Sequence, residues 1–222
     1  MFQGVNQKLE RADYFLTNLK SLAKYADGFS YIKKQQEIRA NLDGFFFEVI
    51  SAKDFFLQGI NDKYGKLLPK DECTTRIGEL KRLLTGIDNN ASRVVARIQS
   101  LLSRKNSWLW RLNNYRNSAT HRELIHLGHK VTIYLTKDNK ALFDKIKQGK
   151  IVTKPIFEGQ EKAIPADVPR VNIPHENVKT YLFRDPEDPS QGNTDIEVIP
   201  YCEQSLTKMT EFLEGLYSKL GI

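Results

Sequence analysis

Cysteine is nearly missing from this sequence: Cys73 and Cys202 are the only two among 222 residues. Two thiols build neither a disulfide framework nor a thiolate zinc site, and we expect both to be buried and reduced in a cytoplasmic protein. Long apolar runs are lacking too. The longest, such as Phe45-Phe46-Phe47, fall far short of a bilayer's thickness, so no membrane association is expected. The opening Met1-Phe2-Gln3-Gly4-Val5-Asn6-Gln7-Lys8 is polar at once and has no secretory apolar region. There is no Walker loop, no dinucleotide-binding glycine fingerprint and no Ser/His/Asp order. Nucleotide hydrolysis and acyl transfer therefore have no support, and no cofactor is expected.

One further absence is local. From Asn89 to Arg122 there is no Asp or Glu, while Arg93, Arg97, Arg104, Lys105, Arg111, Arg116 and Arg122 all fall there. The rest of the chain holds 27 of the 34 basic residues against all 27 acidic ones, so this stretch accounts for the whole net charge of +7. A positive field gathered on one segment attracts polyanions, of which nucleic acid is the commonest in a cell. The opposing reading is a solvated basic helix face with no partner.

What is present is mostly helical periodicity. A hydrophobic content of 40% argues against wholesale disorder. Residues 5–26 and 30–64 carry apolar positions at three- and four-residue steps, with Asp27-Gly28 between them and Gly65 and Pro69 after them. A third helix is expected from Asp71 to about 103, with Gly86 and Asp88-Asn89-Asn90 as a point of kinking or breakage. Ser107 is placed to cap a fourth. Residues 131–135, 150–153, 178–183 and 196–199 read as strands, 143–148 as a short helix, and 137–140 and 185–193 as turn and loop. The helical period returns over 201–220. A lone helix cannot bury its apolar side, so this last one must return to the first three. The expected architecture is mainly α: one domain over 1–222, an antiparallel four- to five-helix up-and-down bundle (5–121 and 201–220). A small β-containing insertion, about 129–199, precedes the last helix.

The acid-free run ends in Arg116-Asn117-Ser118-Ala119-Thr120-His121. Arg-Asn followed by His after three more positions resembles the signature of the HEPN superfamily, whose members are helical bundles carrying this motif before the final helix. The resemblance covers the helical parts of the chain and does not account for the β-rich segment. It implies a metal-independent endoribonuclease with catalytic Arg116, Asn117 and His121, formed as a homodimer in which two motifs line one cleft. It further implies a toxin or anti-phage (abortive-infection) effector, with an antitoxin of the nucleotidyltransferase type as partner. Many members of the family are instead non-catalytic modules that bind RNA or protein, and this remains the alternative.

The chemistry suits those residue types. RNA is cleaved without a metal when its own 2′-hydroxyl attacks the adjacent phosphorus, which requires a proton acceptor or donor near neutral pH, here His121. It also requires a fixed cation for the charge that accumulates on phosphorus, here Arg116, whose planar guanidinium donates paired hydrogen bonds to phosphate. Asn117 either orients His121 or binds the scissile phosphate. On a continuous helix positions 117 and 121 share a face, whereas 116 lies roughly 140° from 121. A break in the helix, the long Arg side chain or a second subunit must close that gap.

RNA binding is expected of Arg104, Lys105, Arg111 and Arg122, with Trp108 and Tyr115 either stacking on unpaired bases or packing as anchors. His121, Glu123, His126 and His129 raise a metal site, but their spacing matches no standard ligand motif and none is expected.

Overall fold

A computed structural model describes residues 1–23, 28–121, 127–131, 178–183 and 196–221. Of residues 23, 28–35, 118–121 and the strand segments, only the backbone is described. The chain is mainly helical, a bundle of six helices among the described residues.

α1 (Gln3–Ala23) buries Val5, Leu9, Ala12, Leu16 and Leu19, alternating steps of four and three that keep one side apolar. α2 (Gly28–Lys63) buries Ile38, Leu42, Phe45, Val49, Ala52, Phe56 and Ile60 on one line and Phe46, Ile50 and Leu57 beside it. Its apolar face is therefore wide enough to serve helices on two sides. α1 and α2 run antiparallel in very close contact, because glycines receive phenylalanine rings. A Cβ on Gly44 would lie 2.7 Å from the Phe15 ring, and one on Gly59 would lie 2.5 Å from that of Phe2.

The chain leaves α2 through Gly65 and Lys66, both in the left-handed region at φ 88° and 57°. Asn61, 1% exposed, ties this turn down: its Nδ2 donates to Leu68 O at 2.8 Å and its Oδ1 accepts from Leu68 N at 3.0 Å. No helix begins at Asp71. Pro69 O accepts from Glu72 N and Cys73 N, and Glu72 O from Thr75 N and Arg76 N, so the chain makes successive turns. The Thr74 and Thr75 hydroxyls donate back to Asp71 O and Glu72 O, a local alternative to helical bonding.

The expected third helix is two, α3 (Ile77–Thr85) and α4 (Asn89–Ser103). Gly86 ends the first. Asp88, in extended conformation, caps the second, its Oδ1 accepting from Asn90 N at 2.8 Å and Ala91 N at 3.1 Å. Tyr64 OH donates to the other carboxylate oxygen, tying the α2 exit to the start of α4. α3 and α4 form an antiparallel hairpin in which Thr85 and Ser92 share a hydrogen bond of 2.8 Å.

α5 (Trp108–His121) starts at Ser107, whose Oγ accepts from Trp110 N at 3.1 Å. The last helix, α6 (Val198–Lys219), begins earlier than the periodicity suggested and takes up positions 198–199, expected as strand. Val198, Cys202, Ser205, Met209, Leu213 and Leu216 are all buried at helical steps, so Val198 belongs to the helix's own apolar side. Between α5 and α6 the described residues form three short strands, β1 (Leu127–Val131), β2 (Val178–Phe183) and β3 (Ile196–Glu197). They are antiparallel in the order β1-β2-β3, with Leu127 opposite Phe183 and Leu182 opposite Glu197. The expected features at 132–135, 137–140, 143–148, 150–153 and 185–193 lie outside the described residues.

α6 closes the bundle. It runs antiparallel to α1, joining Phe2 to Tyr217 and Lys20 to Glu203. It is also antiparallel to α5, joining Trp108 to Phe212 and Tyr115 to Tyr201. The terminal helix thus packs back on the N-terminal part of the chain. No helix among the described residues is long and apolar enough to cross a membrane.

Candidate functional site

α5 is oriented by its buried side. Leu109, Leu112 and Tyr115 are 0–1% exposed, and Tyr115 stacks on Phe46 of α2 with ring centroids 4.9 Å apart. That packing brings the next residue, Arg116, over α2. Arg116 Nη1 donates to Asp54 Oδ2 at 2.8 Å, and Nη2 to Asn113 Oδ1 at 3.2 Å. Asp54 Oδ1 lies 2.5 Å from Nζ of Lys53. One carboxylate therefore sits between two cations, and the three side chains grade from interior to surface: Lys53 is 3% exposed, Asp54 19% and Arg116 23%. Burial holds the Lys53 ammonium below its usual pKa. Asp54 opposes that fall and Arg116 adds to it.

The arrangement fixes a guanidinium at the edge of the core. A guanidinium held by a carboxylate on one element and an amide on its own helix has lost most of its rotamer freedom before any ligand arrives. Asn117, next along α5, is half-buried. α5 is continuous through His121, so position 121 lies about 140° around the helix from position 116. A break within the motif is thereby removed as the means of bringing Arg116 and His121 together. The His121 side chain and all of Arg122 lie outside the described residues.

The other expected RNA contacts are placed unequally. Arg104 and Lys105 are exposed in the turn between α4 and α5. Arg111 is half-buried, and its Nε has no hydrogen-bond partner among the described residues. Trp108 packs edge-on against Phe212 at 5.4 Å, with Lys208 Nζ 5.6 Å from its ring centre. It is a packing residue with a partly open ring. Tyr115 is a correction: at 1% exposure, between Phe46 and Tyr201, its ring is closed to any base. The signal was in the spacing, since Leu109, Leu112 and Tyr115 recur at steps of three.

Lys53 and Asp54 were not singled out by sequence reasoning. Their signal was weak but readable: Lys53 falls between Ile50 and Leu57 on a helical line that is otherwise buried and apolar. Both thiols are buried. Burial pushes Cys73 up to about 11 and Cys202 well above its ordinary value, which removes either as a thiolate near neutral pH. Among the described residues no three His, Cys, Asp or Glu side chains lie together as metal ligands; the side chains of His126 and His129 are outside them. Compared with known proteins, the chain matches no family model, no curated protein and no solved structure.

Proposed function

We propose that this chain is a metal-independent endoribonuclease of the HEPN type. The observation that carries this reading is the held guanidinium of Arg116, at the head of a motif that continues along one unbroken helix to His121. In the reaction, His121 accepts the proton of a 2′-hydroxyl, whose oxygen forms a bond to the adjacent phosphorus. The bond from phosphorus to the 5′-oxygen breaks, and that oxygen takes a proton from water as it leaves. Arg116 offsets the charge on the phosphorane-like transition state. Because positions 116 and 121 diverge on a continuous helix, the complete site is proposed to form between two copies of the chain. A toxin or defence effector of this kind needs a neutralising partner, which the resemblance suggests is a small nucleotidyltransferase.

A second reading has its own support. Asp54 already neutralises Arg116, as suits a non-catalytic module that binds RNA or protein while Arg116 holds α5 on α2. Incubation with RNA in the presence of a chelator separates the two. The nuclease yields 2′,3′-cyclic phosphate ends, spares a 2′-deoxy substrate and loses on the order of 10²–10⁴-fold in rate on His121→Ala. A His121→Ala protein that cleaves at the wild-type rate sinks the assignment, and an absence of cleavage at any protein concentration favours the binding module.

A further inference from the structure

α4 carries its charge on one side. Asn90, Arg93, Arg97 and Ser100 recur along α4 at steps of three, four and three residues, Arg104 follows four residues on as the cap that ends the helix, and all five are exposed. Ala91, Val94, Val95, Ile98 and Leu101 are buried, so the core itself fixes which side faces outward. Other exposed arginines have acidic neighbours: Arg76 contacts Glu72 and Glu79, and Arg82 lies 3.8 Å from Glu79. Among the described residues no carboxylate pairs with Arg93, Arg97 or Arg104, and α4 contains no acid. Arg93 and Arg97, four apart, repel each other on the helix surface. An anion from outside the fold relieves that repulsion.

The ligand class follows from spacing and composition. A rise of 1.5 Å per residue separates Arg93 from Arg97 by about 6 Å and from Arg104 by about 16 Å. The shorter step is comparable with the separation of successive phosphates along an extended strand, and the longer covers several of them. No aromatic side chain occurs on this face for a base to stack on, so it suits phosphates rather than sequence. In-line attack by a 2′-hydroxyl also requires a strand released from the A-form duplex. We infer that the exposed face of α4, together with Arg104 at the cap that ends it, is a track for the sugar-phosphate backbone of single-stranded RNA, engaged by Arg93, Arg97 and Arg104. The choice of RNA rests on the ribonuclease reading, and the test lets the two fail separately.

The probe is a fluorescent single-stranded 2′-O-methyl RNA, which lacks the attacking hydroxyl and survives incubation. Its affinity is measured across a salt series for wild type, for Arg93→Gln/Arg97→Gln, and for Arg93→Lys/Arg97→Lys. Each phosphate contact on a single strand contributes about 0.7 to the slope of log K against log salt, so the Gln pair lowers the slope by about 1.4 and the Lys pair keeps it. Gln and Arg have similar helix propensity, and an unchanged melting curve shows the fold intact. An unchanged slope and affinity in the Gln pair overturn the inference. So does a Gln pair that binds RNA normally but no longer binds polyglutamate, an outcome that makes the partner an acidic protein. Cleavage of unmodified RNA is followed alongside. A lowered slope without cleavage leaves the track standing and removes the nuclease; cleavage with an unchanged slope does the reverse.

Discussion

Asp54 and Arg116, 62 positions apart in sequence, meet at 2.8 Å where α5 crosses α2. The carboxylate also faces Lys53, so one acidic side chain serves a cation in the core and another at its edge. The pairing joins the proposed chemistry to stability, because the group that orients Arg116 is the group that makes a buried lysine tolerable.

Removing Asp54 should therefore do more than remove a surface ion pair. Asp54→Ala leaves Lys53, 3% exposed, without its counter-ion, and breaking a buried pair in this way costs about 3–5 kcal/mol. The partial exposure of Asp54 places the expected loss at the lower end. Urea unfolding measures it, and adding Lys53→Met should restore most of the loss. A loss below about 0.5 kcal/mol, the range of ordinary surface substitutions, contradicts the coupling.

Lys53 also has a signature in pH. Its folded pKa lies below the 10.5 of the unfolded chain, through burial first. Below the folded value the ammonium is charged in both states and the burial penalty is complete. Between the two values the unfolded chain holds the extra proton, so stability rises with pH. Lys53→Met should be most stabilising relative to wild type below the folded pKa of Lys53 and lose that advantage as the pH rises from there toward 10.5. A difference that stays constant at every pH up to 10.5 contradicts the lowering of the Lys53 pKa by burial.

The helices were legible because their burial follows a local rule. Val5 to Leu19 and Val198 to Leu216 keep the three- and four-residue steps that any amphipathic helix shows. The break at Gly86 and Asp88 was legible for the same reason, since a glycine stop and an aspartate cap act within a turn of themselves. Local rules failed where tertiary contacts decided. Asp71 resembles a helix start, yet the turns at Pro69 and Glu72 bury Cys73 instead. Asp54 reads as a solvated charge until α5 is laid across it, and nothing near residue 54 announces residue 116. Of the motif, Arg116 and Asn117 are placed by the bundle, and the His121 side chain lies outside the described residues.

Asp43, on α2, gives a second pH test. Burial raises its carboxyl to about 6 against the pull of Arg39. A raised folded pKa means that the ionised form is penalised above about 6 and that folding takes up a proton between 3.8 and that value. Asp43→Asn should stabilise the protein at pH 7.5 by on the order of 1 kcal/mol, after allowance for partial exposure, and gain little at pH 4. Melting curves at the two pH values decide, and equal effects at both contradict the shift.

Gly44 lets α1 and α2 approach. A methyl group there would sit 2.7 Å from the Phe15 ring, so Gly44→Ala must displace it or part the helices, at about 1–3 kcal/mol. Phe15→Leu in the same chain should recover much of that loss by vacating the space. Two losses that simply add would show that the contact does not govern the spacing.

The remaining prediction separates charge from orientation at Arg116. Lysine in its place keeps the charge but cannot donate in two directions from one rigid plane, so it cannot hold Asp54 and Asn113 while facing a phosphate. Arg116→Lys should lower kcat for RNA cleavage by about 10²-fold, the scale of a misplaced catalytic group, with a much smaller change in KM. Asp54→Asn keeps an oxygen acceptor and the shape but removes the charge. It should lower kcat less, by about tenfold, because the guanidinium retains Asn113 and loses only part of its restraint. The order of the two effects is the informative result. If Asp54→Asn raises the rate instead, Asp54 was masking the charge that the transition state needs, and its role is inhibitory rather than positioning. If both variants cleave as wild type, Arg116 serves only to hold α5 on α2.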